Sequence, residues 1–191
     1  PVTFGYSEQI QSFAGIFSDW YGDTALEFDP VKFNADEIVA LAKEAGMRSI
    51  VITTKHHDGF CMFNTATTEY NSVNATPSKR DYVKELSDAC RRGGINFAMY
   101  YSLIDWNFPH AYPISSHNCD FITPQHHEFT KAQVTELLTN YGPVSELWFA
   151  FFHFIYFILL VLGSFPYVPF AISFFLTITF FFIISIKYFI T

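Results

Sequence analysis

The sequence predicts an α/β fold with a parallel sheet, on two observations. A capped helical segment is followed closely by a strand-like run, and this cycle occurs three times at spacings of about one βα unit. The first of these runs, Ile50-Val51-Ile52-Thr53-Thr54, is β-branched without polar alternation, which suits a strand covered on both faces. Such an order fits a (β/α)8 barrel or a doubly wound sheet. No Gly-rich phosphate loop follows any of the runs, which counts against the nucleotide-binding doubly wound folds.

The first helix opens at Asn34, whose side chain can cap free backbone N–H groups while Glu37 completes a capping box, and it runs to Gly46. Its stripe of Ile38, Leu41, Ala42 and Ala45 predicts the buried face. The second helix starts after Asp81, turns Tyr82, Val83, Leu86, Ala89 and Cys90 inward, and stops at Gly93-Gly94. A strand over residues 95–101 follows. Thr123-Pro124 starts the third helix, with proline in the first turn where its missing N–H does no harm. That helix carries Phe129, Ala132, Leu137, Leu138 and Tyr141, ends at Gly142-Pro143, and leads into a short strand at Glu146-Leu147-Trp148-Phe149.

In both architectures a ligand sits at the carboxyl ends of the strands, which nominates Lys55-His56-His57-Asp58, Tyr100-Tyr101-Ser102 and Trp148-Phe149-Ala150. His56 and His57, as neighbours on a strand, are expected to point to opposite sides and so not to chelate one ion. His126 and His127 are about a hundred degrees apart on a helix, and no HExxH or Cys partner at ligand spacing is present. No metal and no cofactor are expected. Imidazoles beside Tyr and Trp suit a ligand with many hydroxyls, a sugar above all; packed or solvated residues at strand ends are the plainer reading of the same positions. No GxSxG elbow supplies a nucleophilic serine. Asp58 and Asp105 are the carboxylates near strand ends, and Asp58, beside Gly59, fits turn geometry.

Charge and composition divide the chain. All 18 acidic residues and ten of the 11 basic ones lie in residues 1–150, whereas residues 151–191 hold one charge, Lys187, and 12 of the 24 Phe. The net charge of −7 excludes a surface built to track polyphosphate, so nucleic acid is not an expected partner. Three scattered cysteines, Cys61, Cys90 and Cys119, give neither a disulfide framework nor a zinc pattern. The chain opens on Pro1 rather than Met, which leaves room for an upstream start with a signal peptide.

At its candidate site the sequence resembles the α-L-fucosidases of glycoside hydrolase family 29. The likeness rests on Phe33-Asn34-Ala35-Asp36-Glu37, the KHHDGF string from Lys55 to Phe60, Lys79-Arg80-Asp81-Tyr82-Val83, Tyr100-Tyr101-Ser102 with Asp105-Trp106, and the LLTNYGP string from Leu137 to Pro143 leading to Leu147-Trp148-Phe149. Together these span nearly all of residues 4–149. The resemblance implies a (β/α)8 TIM-like catalytic barrel that removes terminal α-L-fucose from glycans with retention of configuration and without a metal. It implies fucose-binding roles for His56, His57, Tyr101 (with Tyr100 the less favoured) and Trp148, and a secreted, periplasmic or lysosomal setting. The family's nucleophilic Asp would follow Phe149 directly, and Ala150 stands there. Its acid/base carboxylate would lie further on, where the apolar tail runs.

These considerations predict two regions: residues 1–149, part of a glycoside hydrolase barrel, and residues 150–191, an apolar tail foreign to the family. A barrel of this class takes about 250 residues, so about three strands cannot close, and open edges and poor solubility are expected of residues 1–149 alone. Within the tail, residues 170–186 are 17 without a charge, a marginal membrane span. A tail translated from A/T-rich non-coding sequence is the preferred reading, because it accounts together for the composition and for the break at position 150. The chain is thus expected to be a truncated fucosidase without hydrolysis of its own. A catalytically dead fucose binder and a membrane-anchored relative are the alternatives.

Overall fold

A computed structural model describes residues 10–108 and 123–149, which all fall within one unit of the chain, Pro1–Ala150. Two short helices, α1 (Ile10–Phe13) and α2 (Ser18–Gly22), and a 3-10 turn at Asp23–Glu27 lead into the βα pattern. Then follow α3 (Ala35–Glu44), β1 (Ser49–Lys55), α4 (Tyr82–Gly93), β2 (Asn96–Tyr101), α5 (Pro124–Asn140) and β3 (Glu146–Phe149). The strands form one parallel sheet in the order β1-β2-β3, so the chain from β1 to β3 is two successive βαβ units.

The three helix starts follow from their capping residues. Asn34 accepts the Glu37 amide, Asp81 the Lys84 amide and Thr123 the His126 amide. In the first of these the Asn34 side-chain amide also donates to the Glu37 carboxylate at 2.8 Å, a side-chain variant of the reciprocal box. At the end of α4, Gly94 takes a left-handed φ of +69° and returns its N–H to Cys90 O, a turn that an L side chain would strain.

The core lies between the sheet and its helices. Phe97, Met99 and Tyr101 of β2 meet Val83, Leu86, Ala89 and Cys90 of α4, together with Ala35, Val39 and Ala42 of α3 and Leu137 of α5. Ile50 and Ile52 of β1 and Leu147 and Phe149 of β3 pack against the same cluster. Alternation then assigns the other face of the sheet to Val51 and Thr53, Ala98 and Tyr100, and Trp148.

The inward face expected for α4 is the one observed, but that of α3 is rotated. Ala35, Val39 and Ala42 are buried, whereas Leu41 is 67% exposed and Ile38 38%. The cause is the approach of α4: Gly93 abuts Val39 so closely that a Cβ there would collide with it, and the small residues of α3 permit that contact. On α5 Leu137 is buried as expected, as is Tyr141 just past its end, while Ala132 and Leu138 face outward. The polar Gln133 and His126 take the inward positions instead.

Candidate active site

β1 ends at Lys55, so His56 and His57 leave the sheet in a turn rather than continuing a strand. The expectation that they point to opposite sides is therefore corrected: their ring centroids are 4.4 Å apart. The register with β2 also shifts between Thr53 and Lys55, which brings Lys55 opposite Tyr101.

Two loops are clamped together at this end of the sheet. Ser102 N–H donates to Lys55 O at 3.0 Å and Trp106 N–H to His57 O at 2.7 Å. Beneath them the Lys55 ammonium donates to the Asp105 carboxylate at 3.0 Å, with both side chains buried, and lies 4.6 Å from the centre of the Tyr101 ring. Burial, the largest single influence, would lower the Lys55 pKa, but Asp105 together with Tyr101 and Cys61 outweighs it and holds the ammonium above its ordinary value. Gly59, at φ +83°, closes the turn directly against Asp105, where no Cβ fits.

On this platform His57 is buried, packs on Trp106 at 5.3 Å between rings, and places its Nδ1 2.5 Å from Ser102 Oγ. Burial, then the neighbouring His56 and Lys55, lower its pKa to about 4, so the ring is neutral at neutral pH. Asp58 turns back to accept the Phe60 amide at 3.3 Å, the turn role its place before Gly59 suggests. Burial raises its carboxyl to about 6.

His56 stacks on Tyr100, the ring centroids 5.7 Å apart and the planes 18° from parallel. Tyr100 in turn pairs in register with Trp148, so these two side chains share a face of the sheet. Trp148 is 39% exposed, and its indole N–H donates to Glu146 at 2.8 Å. Tyr101 is on the opposite face, wholly buried, with its hydroxyl donating to Gln133 of α5 at 2.6 Å. Alternation along β2 thus sends Tyr101, the tyrosine expected at the site, into the helix layer and leaves Tyr100 on the face of Trp148.

The structure thus brings His56, His57 and Tyr100 together and sets Trp148 on the adjacent strand. Ala150 lies outside the described residues. Lys55, Ser102, Asp105 and Trp106 all stand in the strings that mark the site in sequence, but they become a unit only when the ends of β1 and β2 meet. Among the described residues no group of three or more His, Cys, Asp or Glu gathers to hold a metal ion. Cys61 is no nucleophile, since burial pushes its thiol up to about 12.

The α-L-fucosidase family profile matches residues 6–152. The chain belongs to the α-L-fucosidase family. Alpha-L-fucosidase 1 of Arabidopsis thaliana is 36% identical over 125 residues, 63% of this chain and 22% of that protein. A solved α-L-fucosidase of Lactobacillus casei in complex with α-L-fucose as product is 37% identical at a TM-score of 0.65, covering 75% of this chain and 51% of that one. Another, a family 29 enzyme of Bacteroides thetaiotaomicron trapped as a covalent intermediate with 2-fluoro-fucosyl fluoride, is 36% identical at a TM-score of 0.71, covering 78% of this chain and 34% of its own. The chain spans about a quarter of the length of the curated relatives it matches. These neighbours imply a TIM-like catalytic domain, of which the three parallel strands are a part. No helix among the described residues is long and apolar enough to cross a membrane, and the candidate span at residues 170–186 lies outside them.

Proposed function

We propose that this chain carries one side of the fucose pocket of a retaining α-L-fucosidase, whose substrate is a terminal α-L-fucose on a glycan. The observation that carries this reading is the convergence of His56, His57, Tyr100 and Trp148 on the carboxyl ends of adjacent parallel strands, in a chain of the fucosidase family. An imidazole offers a sugar hydroxyl a ring nitrogen that donates or accepts according to its tautomer. The faces of Tyr100 and Trp148 suit the C–H side of the ring. Tyr101 supports this arrangement from the helix layer, under Lys55.

Retention needs two carboxyl groups about 5 Å apart, one to attack the anomeric carbon and one to act as acid and then base. The covalent intermediate of the Bacteroides relative supports that chemistry for the family. In this chain the candidate nucleophile position holds Ala150, whose methyl group cannot attack. The remaining candidates, Asp58 and Asp105, are engaged in the turn and with Lys55. The chain as written therefore holds fucose without cleaving it. The family match lends no weight to a membrane-anchored alternative.

Incubation with an aryl α-L-fucoside tests this directly: no aryl alcohol is released, while titration with L-fucose gives saturable binding that His56→Ala weakens at least tenfold. Fucose release abolished by a fucose-mimicking inhibitor would overturn the inactive reading, and absence of saturable binding would overturn the pocket.

A further inference from the structure

The proton inventory around His57 settles more than its position. Ser102 is wholly buried, and its Oγ lies 2.5 Å from His57 Nδ1 and 3.3 Å from the carbonyl oxygen of Ile104. A hydroxyl has one proton to give, and a carbonyl oxygen can only accept. If Ser102 gave its proton to His57, Oγ and the Ile104 oxygen would face each other at 3.3 Å as two acceptors with no proton between them. If the proton goes to Ile104, Oγ accepts from His57 Nδ1–H and all three groups are satisfied. The frame is rigid, because the Ser102 amide is tied to Lys55 O and His57 O to the Trp106 amide. The ring is neutral beside the Lys55 ammonium and His56, so it carries a single N–H.

We propose that Ser102 is a positioning residue that holds His57 as its Nδ1–H tautomer, leaving Nε2 as a hydrogen-bond acceptor for a ligand hydroxyl. Only the last clause rests on the sugar-binding reading. The assignment also narrows the ligand: at this nitrogen it must offer a free hydroxyl proton, so a fucose O-methylated at that hydroxyl is refused.

The full chain labelled with ¹⁵N-histidine provides the test, with His57→Gln identifying the signals of His57 by their loss. At neutral pH the long-range ¹H–¹⁵N correlations are expected to show His57 protonated at Nδ1 and bare at Nε2. Ser102→Ala is expected to move the ring toward the Nε2–H form and to weaken L-fucose binding about tenfold, the loss of one hydrogen bond. Ser102→Thr keeps the hydroxyl and restores both. A wild-type spectrum with the proton on Nε2 overturns the assignment even if the variants fail to fold, and so does a Ser102→Ala spectrum with the tautomer unchanged. If Nδ1–H is found but L-fucose leaves the Nε2 signal unmoved, the tautomer lock is supported and the fucose pocket is the reading that falls.

Discussion

Removing the Asp105 carboxylate leaves the Lys55 ammonium buried under the histidine turn without its ion-pair partner. Breaking one side of a buried pair costs about 3–5 kcal/mol, so Asp105→Ala should lower the urea midpoint of the chain steeply. Replacing both partners, Lys55→Met with Asp105→Leu, should recover most of that loss, because neither charge is then stranded. Equal losses in the single and double variants would show that the pair is not the clamp. The uncharged residues above it set the acid limb of stability. In the unfolded chain His57 takes up a proton near pH 6.5, whereas in the fold it does so only at about 4. Between these values the unfolded state holds more protons, so stability rises with pH. His126, also lowered by burial, adds in the same sense. Asp58 opposes them: its carboxyl keeps its proton to about pH 6 in the fold against 3.8 unfolded, so its contribution falls as pH rises through that window. Asp58→Asn should therefore steepen the gain in urea midpoint between about pH 4 and 6, and a slope no steeper than that of the unaltered chain would refute it.

At the scale of the element, the two inner helix caps are unequal. Asp81 accepts the Lys84 amide at 2.8 Å with one oxygen, and the Asn64 amide and Tyr141 hydroxyl at 3.0 and 2.8 Å with the other. Asn34 exchanges bonds with Glu37 alone. Asn34→Ala should thus cost about 1 kcal/mol and Asp81→Ala about 2 kcal/mol, measured by urea unfolding at constant pH; equal costs would mean that the loop contacts of Asp81 contribute nothing. Both caps were legible in the sequence, as were the starts of α5 and the three strands, because a capping side chain acts on its own next turn. The inward face of α3 was not legible. Ile38 and Leu41 form as good a stripe as Val39 and Ala42, and the choice between them was made by Gly93, more than fifty residues away. The same limit applies to the site. KHHDGF marked the place, but which of Tyr100 and Tyr101 shares a face with Trp148 depended on which face of β2 the helices cover, and the pairing of Lys55 with Asp105 depended on two loops meeting.

For the whole molecule, the sheet itself carries the consequence. Among the described residues β3 pairs with β2 alone, and β1 with β2 and, only at its end, through an antiparallel bridge from Lys55 to Cys61, leaving two parallel edges that are open along most of their length. The face away from the helices adds Val51, 50% exposed, and Trp148 to that edge surface, while Leu41 and Leu138 stand out from the helix layer. Apolar groups beside open edges are a template for association, because a second strand satisfies the backbone and covers the side chains together. Residues 1–149 expressed alone should therefore sediment as a concentration-dependent mixture heavier than a monomer. Val51→Lys should shift that mixture toward monomer, since a lysine on an edge strand must be stripped of water for a neighbour to dock. Trp148 lies on the opposite edge strand, so Val51→Lys should leave L-fucose binding within about twofold, the scatter of an uncoupled distant site. A monomer at every concentration with a sharp cooperative melt would mean that the three strands close their own edges, and the reading of this unit as an open part of a larger barrel would fail with it.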